Sequence, residues 1–133
     1  MLRIAVSLGE LVDKITILSI KLDKIRDPAK LENIRNEYRL LTTAMAATGI
    51  TIDHPQFQDL KAINLQLWEI EDRIRRKEAR QEFDDGFIEL ARQVYFTNDR
   101  RSTVKRAINK AFGSELIEEK EYVDYRSEDP DNV

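Results

Sequence analysis

The chain has 133 residues, with 22 Lys and Arg against 25 Asp and Glu, a net charge of −3, and no cysteine. That length suits one domain. The missing cysteine excludes disulfides, thiol catalysis and cysteine metal sites, and the acidic balance argues against a general nucleic-acid binder. No apolar run approaches the ~20 residues of a membrane span. The N-terminus acquires acids too early for a signal peptide, so a cytoplasmic location is expected. Four glycines and three prolines leave few turns and favour a few long helices over many short strands.

Ser7 and Glu10 make an S-x-x-E capping box, so the first helix is expected to start near residue 8. Leu8, Leu11, Ile15, Leu18, Leu22 and Ile25 then follow at alternating spacings of about 3 and 4, a heptad seam. Val12, Ile17 and Ile20 lie off that seam, which predicts a helix covered on most sides. Asp27-Pro28 caps a second helix, with its own seam of Leu31, Ile34, Tyr38, Leu41 and Met45 and with Gly49 placed to end it. Asp53 and Gln56 form another capping box around Pro55. The third helix carries Leu60, Ile63, Leu67, Ile70 and Ile74 and pairs Glu69, Glu71 and Asp72 with arginines four residues on. Gly86 marks a bend or a new start. A fourth helix is expected from Phe87 to Phe96 and a fifth from about Arg100 to Phe112, stopped by Gly113.

The fold class expected is all-α: an antiparallel long-helix bundle or coiled-coil hairpin with shorter C-terminal helices. "LRIAV" and "EYVDY" leave room for a minimal two-stranded ribbon from the termini. Residues 1–125 read as one helical domain and 126–133 as a disordered tail.

The sequence lacks the phosphate-loop, dinucleotide, zinc-protease and nucleophile-elbow motifs. No cofactor or metal is expected. The only histidine, His54, suits a capping or surface role, and Trp68 suits packing. The segment "YFTNDRRSTVKRAINKAFGS" offers the best site candidate. Asn98 and Asp99 are good caps, yet Arg100 and Arg101 follow at the positive end of a helix dipole, where something negative should offset them. Arg100 is expected to lean into the protein, against Asp13, Glu71 or a bound anion. Arg101 and Lys105 lie on an adjacent stripe. A second candidate is "SLGELVDK", where Gly9 leaves room for something to approach the first turn. If the two helix starts meet, Ser7, Glu10, Asp13, Lys14, Asn98, Asp99, Arg100, Arg101 and Lys105 form one polar, anion-accepting cluster. The plainer alternatives are an intrahelical Glu10–Lys14 pair and ordinary ion pairs between helices.

"VSLGELVDKITILSIK" together with "VYFTNDRRSTVKRAINKAFGSELIEEKEYVDY" resembles a bacterial family of small proteins of unknown function. The resemblance covers nearly the whole chain and implies no activity. It turns the expected ligand toward a small anion of phosphate or sugar-phosphate type. A vaguer likeness is to the all-helical chorismate mutases, whose full set of inward-facing cations cannot be placed here.

The first functional reading is therefore a non-catalytic binding or assembly module that forms a homodimer through long-helix faces. Val12, Ile17, Ile20, Leu40 and Leu65 are the off-seam residues that suggest it. The alternative is a small all-α enzyme acting on an anionic metabolite, with Arg100 and Lys14 as clamps and Glu10 or Asp13 as the acid–base group. A third and weaker reading is RNA binding through the stripe from Arg100 to Lys110.

Overall fold

The computed structural model describes residues 1–126. It is all-α, with α1 at Leu8–Lys24, α2 at Pro28–Ala46, α3 at Pro55–Ala79 and α4 at Asp85–Ala111. Most helix starts follow from their capping residues. Ser7 Oγ accepts from the Glu10 N–H, and Asp27 accepts from the Ala29 and Lys30 N–H groups with Pro28 beside it. The α3 start shifts by one residue from the sequence expectation. His54, not Asp53, is the cap, and its Nδ1 accepts from the Gln56 N–H at 3.2 Å.

The largest departure concerns the C-terminal half. A single 27-residue α4 replaces the expected fourth and fifth helices. Asp84 caps it, and Gly86 sits inside its first turn. The cap-type residues Thr97, Asn98 and Asp99 do not stop it, and their side chains find other partners. Thr97 Oγ1 accepts from Arg100, Asn98 Oδ1 from Arg101, and Asp99 Oδ2 from the Tyr125 hydroxyl. Contrary to the expectation, Arg100 and Arg101 lie mid-helix, away from the positive end of a dipole.

The expected ribbon does not form: no strand occurs among the described residues. Leu2 and Ile4 stay 90 % and 72 % exposed. The C-terminal segment from Glu115 to Arg126 is tied instead to α4 by side chains. The tail expected from 126 onward lies outside the described residues after that position.

α1 is the central helix. It touches α2, α3 and α4, whereas α2 packs on α1 alone. Leu11, Val12 and Ile15 of α1 meet Met45, Ile50, Phe57, Leu60 and Ile108 in the core. Ile20, expected with Ile17 on the back of α1, is 3 % exposed within one chain and Val12, expected on its flank, 0 %, while Ile17 and Leu65 are half-buried. A helix with neighbours on three sides buries more than its seam, so α1's back face needs no second subunit. Leu40 does stay exposed, at 49 %. Among the described residues no helix is long and apolar enough to cross a membrane.

Candidate functional site

The start of α1 lies against the C-terminal half of α4, with the two helices antiparallel. Gly9 sets the distance. A Cβ there would fall far inside van der Waals contact of the Lys105 carbonyl oxygen and 3.0 Å from Asn109 Oδ1. The visitor that Gly9 makes room for is α4 itself. The first-turn N–H groups of α1, which a helix start leaves unpaired, are taken up internally. Leu8 donates to Ser114 Oγ at 3.0 Å, Gly9 to Asn109 Oδ1 at 2.6 Å and Glu10 to Ser7 Oγ at 3.1 Å. The α1 start thus offers no free backbone donors to an anion.

One turn further, Asp13 is 1 % exposed and fully engaged. Arg101 grips it with both arms of its fork, Nε to Oδ1 at 2.9 Å and Nη2 to Oδ2 at 2.5 Å. Asn64 Nδ2 donates to Asp13 Oδ1 at 2.9 Å and to Thr16 Oγ1 at 2.8 Å, and Thr16 returns its hydroxyl to the Asp13 carbonyl. Such bidentate, charge-assisted pairing is the strong form of hydrogen bond. It holds the Arg101 guanidinium above its ordinary pKa.

Beside Asp13 stands Lys105, 8 % exposed. Its Nζ lies 2.8 Å from Glu10 Oε2, 3.1 Å from Glu118 Oε2 and 3.9 Å from Asp13 Oδ2. Burial pushes the Lys105 pKa down, but the bonds to Glu10 and Glu118 and the nearby carboxylate charges outweigh it, so the net shift is up. Glu118 is correspondingly held low, first by Lys105 and then by Lys120. Lys120 reaches Glu118 Oε1 at 3.1 Å. Arg101, Lys105 and Lys120 are therefore balanced by Asp13, Glu10 and Glu118.

The cations of this row, Arg101, Lys105 and Lys120, line a groove of about 520 Å³ between α4 and the C-terminal segment, and Glu118 stands with Lys105 and Lys120 in the adjoining hollow. Tyr95, Asn98, Arg101, Ser102 and Lys105 line the helix side, and Lys120, Tyr122 and Tyr125 the segment side. Tyr125 packs at 5.0 Å on Tyr95 and 5.3 Å on Phe96 and donates its hydroxyl to Asp99. That bond raises the Tyr125 pKa. Among the described residues no group of three or more Asp, Glu or His side chains is placed to hold a metal.

The structure brings Glu10, Asp13, Asn98, Asp99, Arg101 and Lys105 together along α4, while Ser7 caps α1 beside a separate hollow with Leu116 and Ile117. It does not bring Lys14 or Arg100. Lys14 is exposed, and Glu10 pairs with Lys105 rather than with Lys14. Arg100 is exposed and turns toward α3, donating Nη2 to Gln66 Oε1 at 3.1 Å and Thr97 Oγ1 at 3.2 Å. The expectation that Arg100 meets an acid is corrected: its neighbour Arg101 does so, because α4 turns Lys105, Ile108 and Asn109 inward and Arg101 lies on that side. The cationic stripe is largely neutralised as well. Arg101, Lys105 and Arg106 pair with Asp13, Glu10 and Glu119 respectively.

A family model described as "Family of unknown function (DUF6165)" matches residues 2–131. The chain belongs to that family. No curated protein and no solved structure matches it. Membership in the family brings no activity to the site, so the geometry alone argues for its use.

Several site residues escaped the sequence reading. Asn64 lies beside the apolar seam, next to Ile63, and is more deeply buried than it, and a buried asparagine calls for a polar partner. Thr16 between Ile15 and Ile17 gives the same signal. Glu118, Lys120, Tyr122 and Tyr125 gave none, since nothing local places that segment beside α4.

Proposed function

We propose that the protein is a non-catalytic binding module whose ligand carries an anionic group and enters the groove between α4 and the C-terminal segment. One observation carries this reading: the two carboxylates that hold Lys105 differ in standing. Glu10 is fixed by α1, whereas Glu118 belongs to a segment with no helix or strand. An incoming phosphate or carboxylate can replace Glu118 while Lys105 stays paired throughout. The exchange avoids exposing a bare buried charge, which is what makes breaking such pairs costly. Arg101 has a donor in reserve, since its Nη1 reaches only Asn98 Oδ1, at 3.4 Å. Tyr95, Tyr122 and Tyr125 add apolar faces with polar tips. The groove's volume lies within the usual range of small-molecule sites, about 300–1,000 Å³. The ligand class this favours is a phosphate or sugar-phosphate.

Inorganic phosphate and a hexose phosphate, titrated separately into isotope-labelled protein, test the proposal. Saturable amide shifts are expected at residues 95–105 and 118–125, and they should vanish in folded Lys105→Gln. The absence of saturable shifts with either compound at tens of millimolar overturns the reading.

We also infer that the chain self-associates. Large apolar residues stand exposed outside the groove, among them Phe83 at 58 % and Ile88 at 54 %, both near the outer end of the α3–α4 hairpin, and exposed apolar surface marks interfaces where it is contiguous. Light scattering on the purified chain measures it.

A further inference from the structure

The outer part of the α3–α4 hairpin differs from the rest of the molecule. After Leu67 in α3 and before Thr97 in α4, no residue is buried. The stretch is nonetheless patterned for burial. Ile70 and Ile74 on α3, and Phe87, Leu90 and Val94 on α4, continue a 3-4 seam but are only half-covered. Two helices have closed one side of this seam and left the other open.

The charges at the tip of the arm are sorted, whereas nearer the base α3 carries the acids Glu69, Glu71 and Asp72 and α4 carries Arg92. Residues 73–80 carry five cations, Arg73, Arg75, Arg76, Lys77 and Arg80, and one acid, Glu78. Residues 82–89 carry four acids, Glu82, Asp84, Asp85 and Glu89, and no cation. Lys77 alone bridges the two blocks, meeting Asp84 at 2.9 Å and Glu82 at 3.6 Å. Among the described residues Arg73, Arg76, Arg80 and Asp85 make no ion pair. Both blocks sit at the tip, one on each helix, so the tip is self-complementary.

We propose that residues 68–96 form a docking surface for the same arm of a second copy of the chain. The inference rests on the self-association read above and names its surface. A two-fold axis running along the arm sets α3 of each copy beside α4 of the other, with the tips level. Every neighbouring pair of helices is then antiparallel, as in an up-and-down four-helix bundle. The basic block of each copy faces the acidic block of its partner, and the symmetry makes the contact twice. The half-covered seam gains its missing layer in the same step.

Two charge-reversed variants test this without touching the core. One carries Arg73→Glu, Arg76→Glu and Arg80→Glu; the other carries Glu82→Lys, Asp85→Lys and Glu89→Lys. The wild-type chain, 15.6 kDa as a monomer, should show twice that mass by light scattering. Each variant alone sets like against like twice and should fall to the monomer mass, with an unchanged circular dichroism spectrum. Mixing the two should restore the dimer mass, because both contacts become opposite-charge pairs in the mixed species. A monomeric wild type overturns this inference and the self-association reading together. A dimer that survives both reversals overturns this inference alone and moves the interface elsewhere.

Discussion

Asn64 and Arg101 stand on the same hairpin as Ile74 and Leu90, only a few turns nearer its base, yet their surroundings are opposite. Near the base α1 covers the hairpin, and a carboxylate only 1 % exposed accepts three hydrogen bonds, two from Arg101 and one from Asn64. Toward the tip nothing covers the seam, and ion pairs such as Arg75–Glu71 and Arg92–Glu89 are open to water. The difference is one of neighbours, not of sequence style, since both parts carry heptad apolar residues. Polar groups can be interior where a third helix brings partners for them. Where no third helix reaches, even the apolar residues remain half-exposed.

That contrast is open to mutation. The largest effect is expected at Asp13. Asp13→Ala leaves the half-buried Arg101 guanidinium without its carboxylate and Asn64 with Thr16 alone, while Lys105 keeps Glu10 and Glu118; breaking a buried pair in this way costs up to about 3–5 kcal/mol. Urea unfolding of the two proteins measures it. A loss no larger than that of an average surface substitution would mean that the cluster is less sealed than described. Gly9→Ala should come next. The added methyl meets the Lys105 carbonyl, so α1 must shift on α4, and overpacking of this kind costs roughly 1–3 kcal/mol. The same variant should disturb amide signals around Asn109 and Ser114, whose side chains accept from the displaced turn.

The paired truncations Leu60→Ala and Leu90→Ala compare base and tip directly. Leu60 is 0 % exposed, so its loss falls within the ~2–5 kcal/mol typical of buried leucines. Leu90, half-buried, should cost clearly less in a monomer. A matching cost at Leu90 that grows with protein concentration would show the tip covered by another copy.

Much of the base was legible in the sequence, and for identifiable reasons. Ser7, Asp27 and Pro28 are local signals, and local physics decides a helix start. The seams of α1 and α3 are periodic over several turns. The failures were tertiary. Asn98 and Asp99 look like caps to any local reading, yet α4 runs through them and their side chains accept from Arg101 and Tyr125. Arg100 was expected to lean inward with the buried face of its helix, but that face is formed by Lys105, Ile108 and Asn109, on the side that Arg101 shares. The partners of Lys105 were half visible: Glu10 was a candidate, while Glu118 depends on where a segment without secondary structure comes to lie.

The smallest effect belongs to that segment, and pH reads it. Glu118 has its pKa lowered by hydrogen bonds from Lys105 and Lys120. Its contribution is therefore present at and above the ordinary glutamate value, about 4.3, and is lost as pH falls below it. Lys105 is shifted up, so its contribution holds below the ordinary lysine value, about 10.4, and fades as pH climbs past it. Between those limits the clasp should be insensitive to pH. Glu118 is 40 % exposed at its side chain, and pairs this open to solvent contribute under about 1 kcal/mol. Global unfolding will barely register the change, but the local signal should. The ring resonances of Tyr122 and Tyr125, followed in an acid titration, should move together as Glu118 takes up its proton. In Glu118→Gln they should begin near the acid position and stay there. If the rings of the variant follow the wild-type titration, Glu118 does not hold the segment, and the ligand exchange proposed at Lys105 loses its replaceable partner.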